Sequence, residues 1–163
     1  DVATLASLVE KETALPDEHG LVASVYWNRI RKGMRLECDP TVITALQKAG
    51  MWTGGPLQIR DLSFPSPWNT YMNAGLPPGP IASFGLPSLR AALQPAESEY
   101  VFFVATGQGG HRFGATLKEH QANVKLYRAV QREERQRAAG AVAQCTRFGA
   151  SRASAILLSG AEG

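Results

Sequence analysis

Residues 52–86 constrain the fold more than any other stretch, because few helices or strands can run through them. They hold six of the ten prolines, at positions 56, 65, 67, 77, 78 and 80, set among Gly, Ser and Asn. Proline fixes φ and has no amide donor, so it interrupts both regular structures. An irregular run of this length is uncommon in a compact domain unless it has a function. It also carries Trp52, Trp68 and Tyr71, which a floppy linker would rarely hold. We read it as an ordered loop region that builds a groove, with regular structure confined to its two flanks.

Three helices are expected before it. Residues 2–13 have amphipathic spacing, and residues 18–32 form a second helix with Asp17 as cap and Gly33 as stop. Asp39-Pro40-Thr41 reads as a third helix start, Asp as cap and Pro in the first turn, ending near Gly50. After the loop region, Pro87 to Leu93 fits a short helix. Tyr100 to Val104 is aromatic and β-branched, a strong strand signal. Gly107 to Gly110 reads as a turn and His111 to Ala115 as the returning strand, giving a hairpin. A long helix follows from about Thr116 to Ala138. Residues 139–163 are rich in Ala, Ser, Gly and Arg without clear periodicity, and read as a low-complexity, disordered tail beyond a domain spanning 1–138. The fold class is therefore α+β: N-terminal helices, an ordered Pro/Gly-rich loop region, a β-hairpin and a long C-terminal helix.

Composition narrows the function classes. The chain has 163 residues, 44% apolar and 19% charged, enough for one soluble domain with a core. Its net charge of +3 is too mild to point to nucleic acid, and suits an anionic polymer no better than a neutral partner. No run reaches the roughly 18 apolar residues of a membrane span, and no signal peptide opens the chain. It begins within a helical pattern at Asp1 rather than at Met, as expected of a piece of a longer protein, so a missing targeting segment says nothing about compartment. Cys38 and Cys145 have neither Cys-x-x-Cys nor Cys/His metal spacing, so no metal site is expected. Two unpaired structural thiols and a disulfide between them both remain open.

One carboxylate stands out. At about 100° per residue, with Leu5 at zero, Val9 falls near +40°, Leu8 near −60° and Glu12 near −20°, inside the apolar arc. Glu10 falls near 140° on the same wheel, on the solvated side. A carboxylate on an apolar stripe is costly unless paired or protonated, and burial raises its pKa. That is the property a general acid needs near neutral pH. A buried Glu held by a salt bridge or backbone donors for structure alone fits the wheel equally well. Around it in sequence, Asn28-Arg29, Asp39-Pro40-Thr41, Asn69-Thr70-Tyr71 and His111 place amide, carboxylate and hydroxyl groups in apolar or loop stretches. With Trp52, Trp68 and Tyr71 as platforms, they have the chemistry of a sugar-binding cleft. Each has a structural alternative: Asn28 closing a turn, Asp39 capping its helix, Trp68 in the core, His111 pinning the hairpin. His120, between Leu117 and Val124 on the last helix, reads as a core histidine.

Taken together, these stretches resemble the YceG-like family of endolytic murein transglycosylases. The resemblance rests on Leu5 to Thr13, Val22 to Val25 with Asn28-Arg29, and Gly33 to Leu36 with Asp39 to Val42. It continues through Asn69 to Tyr71, Gly75 to Ile81, Tyr100 to Ala105, Gly109-Gly110-His111 with Phe113, and Leu117 with His120 and Asn123. It covers about residues 3–130 in the right order.

The resemblance implies an enzyme that cuts the β-1,4 bond between N-acetylmuramic acid and N-acetylglucosamine in peptidoglycan. It would leave 1,6-anhydro ends and terminate nascent strands beside the cell-wall synthesis machinery. It implies Glu12 as the catalytic residue and no cofactor, with Asn28, Asp39, Thr41, Asn69, Tyr71 and His111 as candidates for substrate binding. It also implies a place in the bacterial envelope, reached through an N-terminal inner-membrane anchor. The family normally carries that anchor and a small LysM-like region before this domain, and neither is in this sequence. Cys38 beside Asp39 and the segment from Ala139 are not family features. A muramidase using Asp39 as a second carboxylate, and a non-catalytic wall-binding module, are the rival readings.

Overall fold

The structure, a computed structural model, describes the backbone of residues 1–157 and the side chains of residues 1–139. Its order is α1 (Val2–Glu12), α2 (Pro16–Arg31), α3 (Asp39–Lys48), a 3-10 turn (Ile59–Ser63), α4 (Leu86–Leu93), β1 (Phe102–Ala105), β2 (His111–Gly114) and α5 (Leu117–Leu157). The class is α+β, as the sequence predicts.

α2 and α3 stop where glycine allows it. Gly33 takes φ 66°, and the Gly33 and Met34 amides donate back to the Ile30 and Arg29 carbonyls. Gly50 takes φ 68°, and the Gly50 and Met51 amides donate to the Gln47 and Leu46 carbonyls. Both are Schellman closures, which need a left-handed residue that a side chain disfavours. The two predicted N-caps move. Leu15 caps α2 with Pro16 in its first turn, and Cys38 caps α3, so Asp39 is already helical. In α2, Pro16 has the φ of a first helical residue and no amide to satisfy, so the helix starts one residue before Asp17.

The core forms where the stripes of α1, α2 and α4 meet. Leu5, Leu8, Val9, Val22 and Ala23 are sealed from solvent, with Ala91 and Ala92 of α4 against them. The hairpin lies across this cluster through Phe103 and Phe113. β1 and β2 are antiparallel, with Phe103 opposite Phe113 and Ala105 opposite His111. A Cβ on Gly110 would come within 2.7 Å of the Glu18 carboxylate and one on Gly107 within 2.9 Å of Val130. The glycine turn thus lets α2 and α5 approach the hairpin closely.

α5 opens with a capping box. The Thr116 hydroxyl accepts the Glu119 amide, and the Glu119 carboxylate accepts the Thr116 amide. The helix continues to Leu157, well past the end predicted near Ala138, so the proposed boundary at 138 falls inside it. Six alanines among residues 139–157 favour helix by propensity. Residues 158–163 and the side chain of Cys145 lie outside the described residues. Among the described residues no helix is long and apolar enough to cross a membrane.

Candidate active site

Glu12 ends α1 and brings its carboxyl to a cleft of about 270 Å³. α2 contributes Arg29 to this cleft, the 36–39 segment Leu36, Glu37 and Asp39, the Pro/Gly-rich region Tyr71, β1 Phe103 and α5 His120. Glu12 Oε1 accepts two bonds, from the Tyr26 hydroxyl at 2.7 Å and the Cys38 thiol at 3.1 Å. Oε2 has no protein partner among the described residues and is not sealed from solvent. Burial pushes the Glu12 pKa up and the Asp39 charge adds to it, outweighing the two donors and the His111 charge. The carboxyl is thus a desolvated acid with one oxygen held and the other open to the cleft.

Glu10 has the opposite setting. Its Oε2 accepts the Ser88 hydroxyl at 2.6 Å and the Gly85 amide at 3.0 Å, at the start of α4. These bonds pull its pKa down, so it is an anion tying α1 to a helix N-terminus. The wheel places Glu10 away from the core correctly but misses this tie.

The structure brings two of the predicted binding residues into the Glu12 cleft. Asp39 lines it, and the Tyr71 hydroxyl donates to Asp39 Oδ1 at 2.6 Å. Burial and this carboxylate raise the Tyr71 pKa, keeping the phenol a donor. Asp39 does not cap α3, and its carboxyl is free to face the cleft.

The other candidates sit in the frame. Asn28 Nδ2 donates to the Ser98 and Tyr100 carbonyls, and its Oδ1 accepts from Arg31. Thr41, fully buried, donates to the Cys38 carbonyl and bonds Thr70. Asn69, also fully buried, donates to the Leu62 and Phe64 carbonyls and accepts the Tyr71 amide. These bonds fold the loop that presents Tyr71. His111 pairs with Glu18 at 2.7 Å through Nδ1, and its amide donates to the same carboxylate. It fixes the hairpin to α2 and does not line the cleft, though its charge reaches Glu12. Burial pushes the Glu18 pKa up, but the bonds from His111 and Thr13 outweigh it and leave it lowered.

Of the aromatic platforms, only Tyr71 is in this cleft. Trp68 lies under the Lys48 ammonium, 4.2 Å from the ring centre. Trp52 lines a separate groove of about 490 Å³ with Phe64, Arg60 and Asp61. The loop region thus lines a groove of its own and contributes Tyr71 alone to the Glu12 cleft.

A cleft with a buried glutamate fits several carbohydrate-active folds, and comparison with known proteins decides between them. Residues 1–126 match the model of the YceG-like family. The chain belongs to the YceG-like family. An endolytic murein transglycosylase of Bacillus subtilis is 42% identical over 131 residues, covering 80% of this chain and 35% of the relative. One from Streptococcus pneumoniae serotype 2 is 33% identical over 126 residues, covering 76% of this chain and 23% of the relative. A crystal structure of a YceG-like protein from Listeria monocytogenes superposes with a TM-score of 0.65 at 42% identity, covering 73% of this chain and 37% of that one. The chain therefore spans little more than a third of these relatives, or less.

Within this family member, sequence reasoning missed several residues that shape the cleft. The Arg29 guanidinium is buried and donates to the Val101, Arg35 and Leu36 carbonyls and to Glu37 at 3.1 Å. It clamps the 35–37 turn to Val101, just before β1, and lies 5.2 Å from the Phe102 ring centre. Glu37 takes φ 53°, the only left-handed non-glycine among the described residues. That conformation costs about 1–2 kcal/mol, and its occurrence in the cleft wall marks Glu37 as a candidate site residue. His120 stacks on Phe102 at 4.9 Å and lines the cleft, so it belongs to the wall as well as to the packed face. Burial, then Arg29, lowers its pKa, and its Nδ1 is buried without a partner among the described residues. The sequence carries a signal at the Asn28-Arg29 pair, where it points to Asn28, and at His120, where it points to the core.

Proposed function

We propose that this chain is the catalytic part of an endolytic lytic transglycosylase acting on the glycan strands of peptidoglycan. The observation that carries the reading is the Glu12 carboxyl: buried, raised in pKa, held on Oε1 and open on Oε2. The names of the relatives at 42% and 33% identity support the substrate class.

In this reading protonated Glu12 donates from Oε2 to the glycosidic oxygen between N-acetylmuramic acid and N-acetylglucosamine. The C1–O bond breaks and positive charge spreads over C1 and the ring oxygen. The carboxylate left on Glu12 then takes the proton of the sugar's own C6 hydroxyl as that oxygen bonds to C1. A 1,6-anhydro end forms, Glu12 is again protonated, and neither water nor a protein nucleophile is consumed. Asp39, with Tyr71 bonded to it, faces the developing cation and orients the sugar ring. Asn28, Thr41, Asn69 and His111 act through the frame that holds these groups.

A second reading, a muramidase, draws on the presence of Asp39 in the same cleft. Hydrolases use two carboxyls about 5–9.5 Å apart, the second as nucleophile or as base for water. Product analysis separates them. Mass spectrometry of digested glycan strands should find 1,6-anhydro ends, a water lighter than reducing ends; reducing ends alone would establish hydrolysis, and no shortening by the purified protein would favour a wall-binding module. The family resemblance extends the proposal to termination of nascent strands, beside the wall-synthesis machinery in the envelope, with an inner-membrane anchor in the whole protein.

A further inference from the structure

We propose that Tyr26 and Cys38 are positioning residues for Glu12: by donating to the same oxygen they confine the reactive proton to Oε2 and hold the carboxylate that remains after transfer. This inference rests on the reading of Glu12 as the acid.

The geometry comes from two elements. Tyr26 projects from the middle of α2, its ring met edge-on by Phe103 with centres 6.0 Å apart. Cys38 caps α3, with its amide bonded to the Thr70 hydroxyl and its carbonyl accepting from the Thr41 hydroxyl and amide. Both side chains are 1% exposed, so water does not compete for their hydrogens. Each donates at hydrogen-bond distance to the Glu12 carboxyl.

An oxygen of a neutral carboxyl has two lone pairs. On Oε1 both are occupied, by the phenol at 2.7 Å and the thiol at 3.1 Å. The carboxyl hydrogen must then sit on Oε2, the oxygen open to the cleft. When it leaves, both bonds become charge-assisted and shorten, which lowers the cost of a bare carboxylate in a desolvated site. Burial pushes the Tyr26 and Cys38 pKa values well up, so both remain donors and neither competes for the catalytic proton. The other charged groups acting on Glu12 are Asp39 on α3, which opposes ionisation, and His111 on β2, which favours it. Tyr26 and Cys38 therefore set where the proton resides, while those two charges bias when it leaves.

The test follows Glu12 directly. The carboxyl is titrated by carbon-13 NMR in the full chain, and turnover on glycan strands is measured across pH, for wild type, Tyr26→Phe, Cys38→Ala and Cys38→Ser. Glu12→Gln identifies the resonance. Loss of a donor raises the Glu12 pKa, so Tyr26→Phe should move both the titration and the alkaline limb of activity upward by about one pH unit. Cys38→Ala should move them the same way by less, and Cys38→Ser should return them toward wild type because a donor is restored. A role in packing alone would lower stability without moving either midpoint. Should Tyr26→Phe fail to fold, the Cys38 pair still decides. Unmoved midpoints in Tyr26→Phe and Cys38→Ala, with Glu12→Gln inactive, overturn this inference alone. Wild-type turnover in Glu12→Gln overturns the acid reading and this inference with it.

Discussion

Glu12 holds its carboxyl in a desolvated cleft, while Glu10, two residues earlier on α1, holds its own against the first turn of α4. The two settings have opposite consequences for stability. The Glu12 pKa is raised on folding, so its contribution is fully present below the unfolded-chain value and is lost as pH rises through the folded value. Above that, the fold carries an ionised carboxylate where burial disfavours it. Glu12→Gln keeps an oxygen for Tyr26 and Cys38 and removes the charge. Thermal unfolding over a pH series should therefore show Glu12→Gln more stable than wild type at neutral and alkaline pH, with the gap closing in acid. A gap independent of pH would mean that Glu12 does not change its ionisation on folding. This is a trade of stability for activity at one atom pair.

Between elements, the Glu18 carboxylate is a polar join between α2 and the hairpin. It accepts the His111 ring and amide at 2.7 Å and the Thr13 hydroxyl at 3.1 Å. Hydrogen bonds to charged groups contribute about 1.5–3 kcal/mol each, not additively. Glu18→Gln should cost about 1–3 kcal/mol in denaturant unfolding, with amide exchange accelerating first across 102–105 and 111–114. Exchange accelerating first in α1 would assign the join elsewhere. Legibility in the sequence follows the same division. Gly33 and Gly50 are readable because each acts on its own few residues. The hairpin was readable because its strand is aromatic and its turn glycine-rich. Asp17 is not the cap because Pro16 before it starts the helix, and Asp39 is not because Cys38 takes that place in α3. Asn28, Thr41 and Asn69 have the chemistry of sugar ligands, yet the same amides and hydroxyls suit backbone carbonyls, and only the folded chain shows which they meet. Tyr26 and Cys38 were invisible as partners of Glu12 because contacts across 14 and 26 residues of sequence carry no local pattern.

For the whole molecule, the cleft is assembled from α1, α2, α3, the Pro/Gly-rich region, β1 and α5, so its integrity reports on the entire domain. The described packing of α5 against the hairpin lies before Ala139, through His120 on Phe102, Asn123 on the Phe113 carbonyl and Val130 beside Gly107. We propose that residues 139–163 are a separate appendage. A chain ending at Ala138 should keep its stability within about 0.5 kcal/mol and its activity unchanged; a larger loss would make the far part of α5 integral to the domain. The central claim, that Glu12 is the acid, is tested most directly by comparing two amide variants on purified glycan strands. Glu12→Gln should lose turnover by about 10²–10⁴-fold while remaining folded, and Glu10→Gln, which loses only its tie to α4, should cut strands as wild type does. An active Glu12→Gln beside an inactive Glu10→Gln would contradict the account.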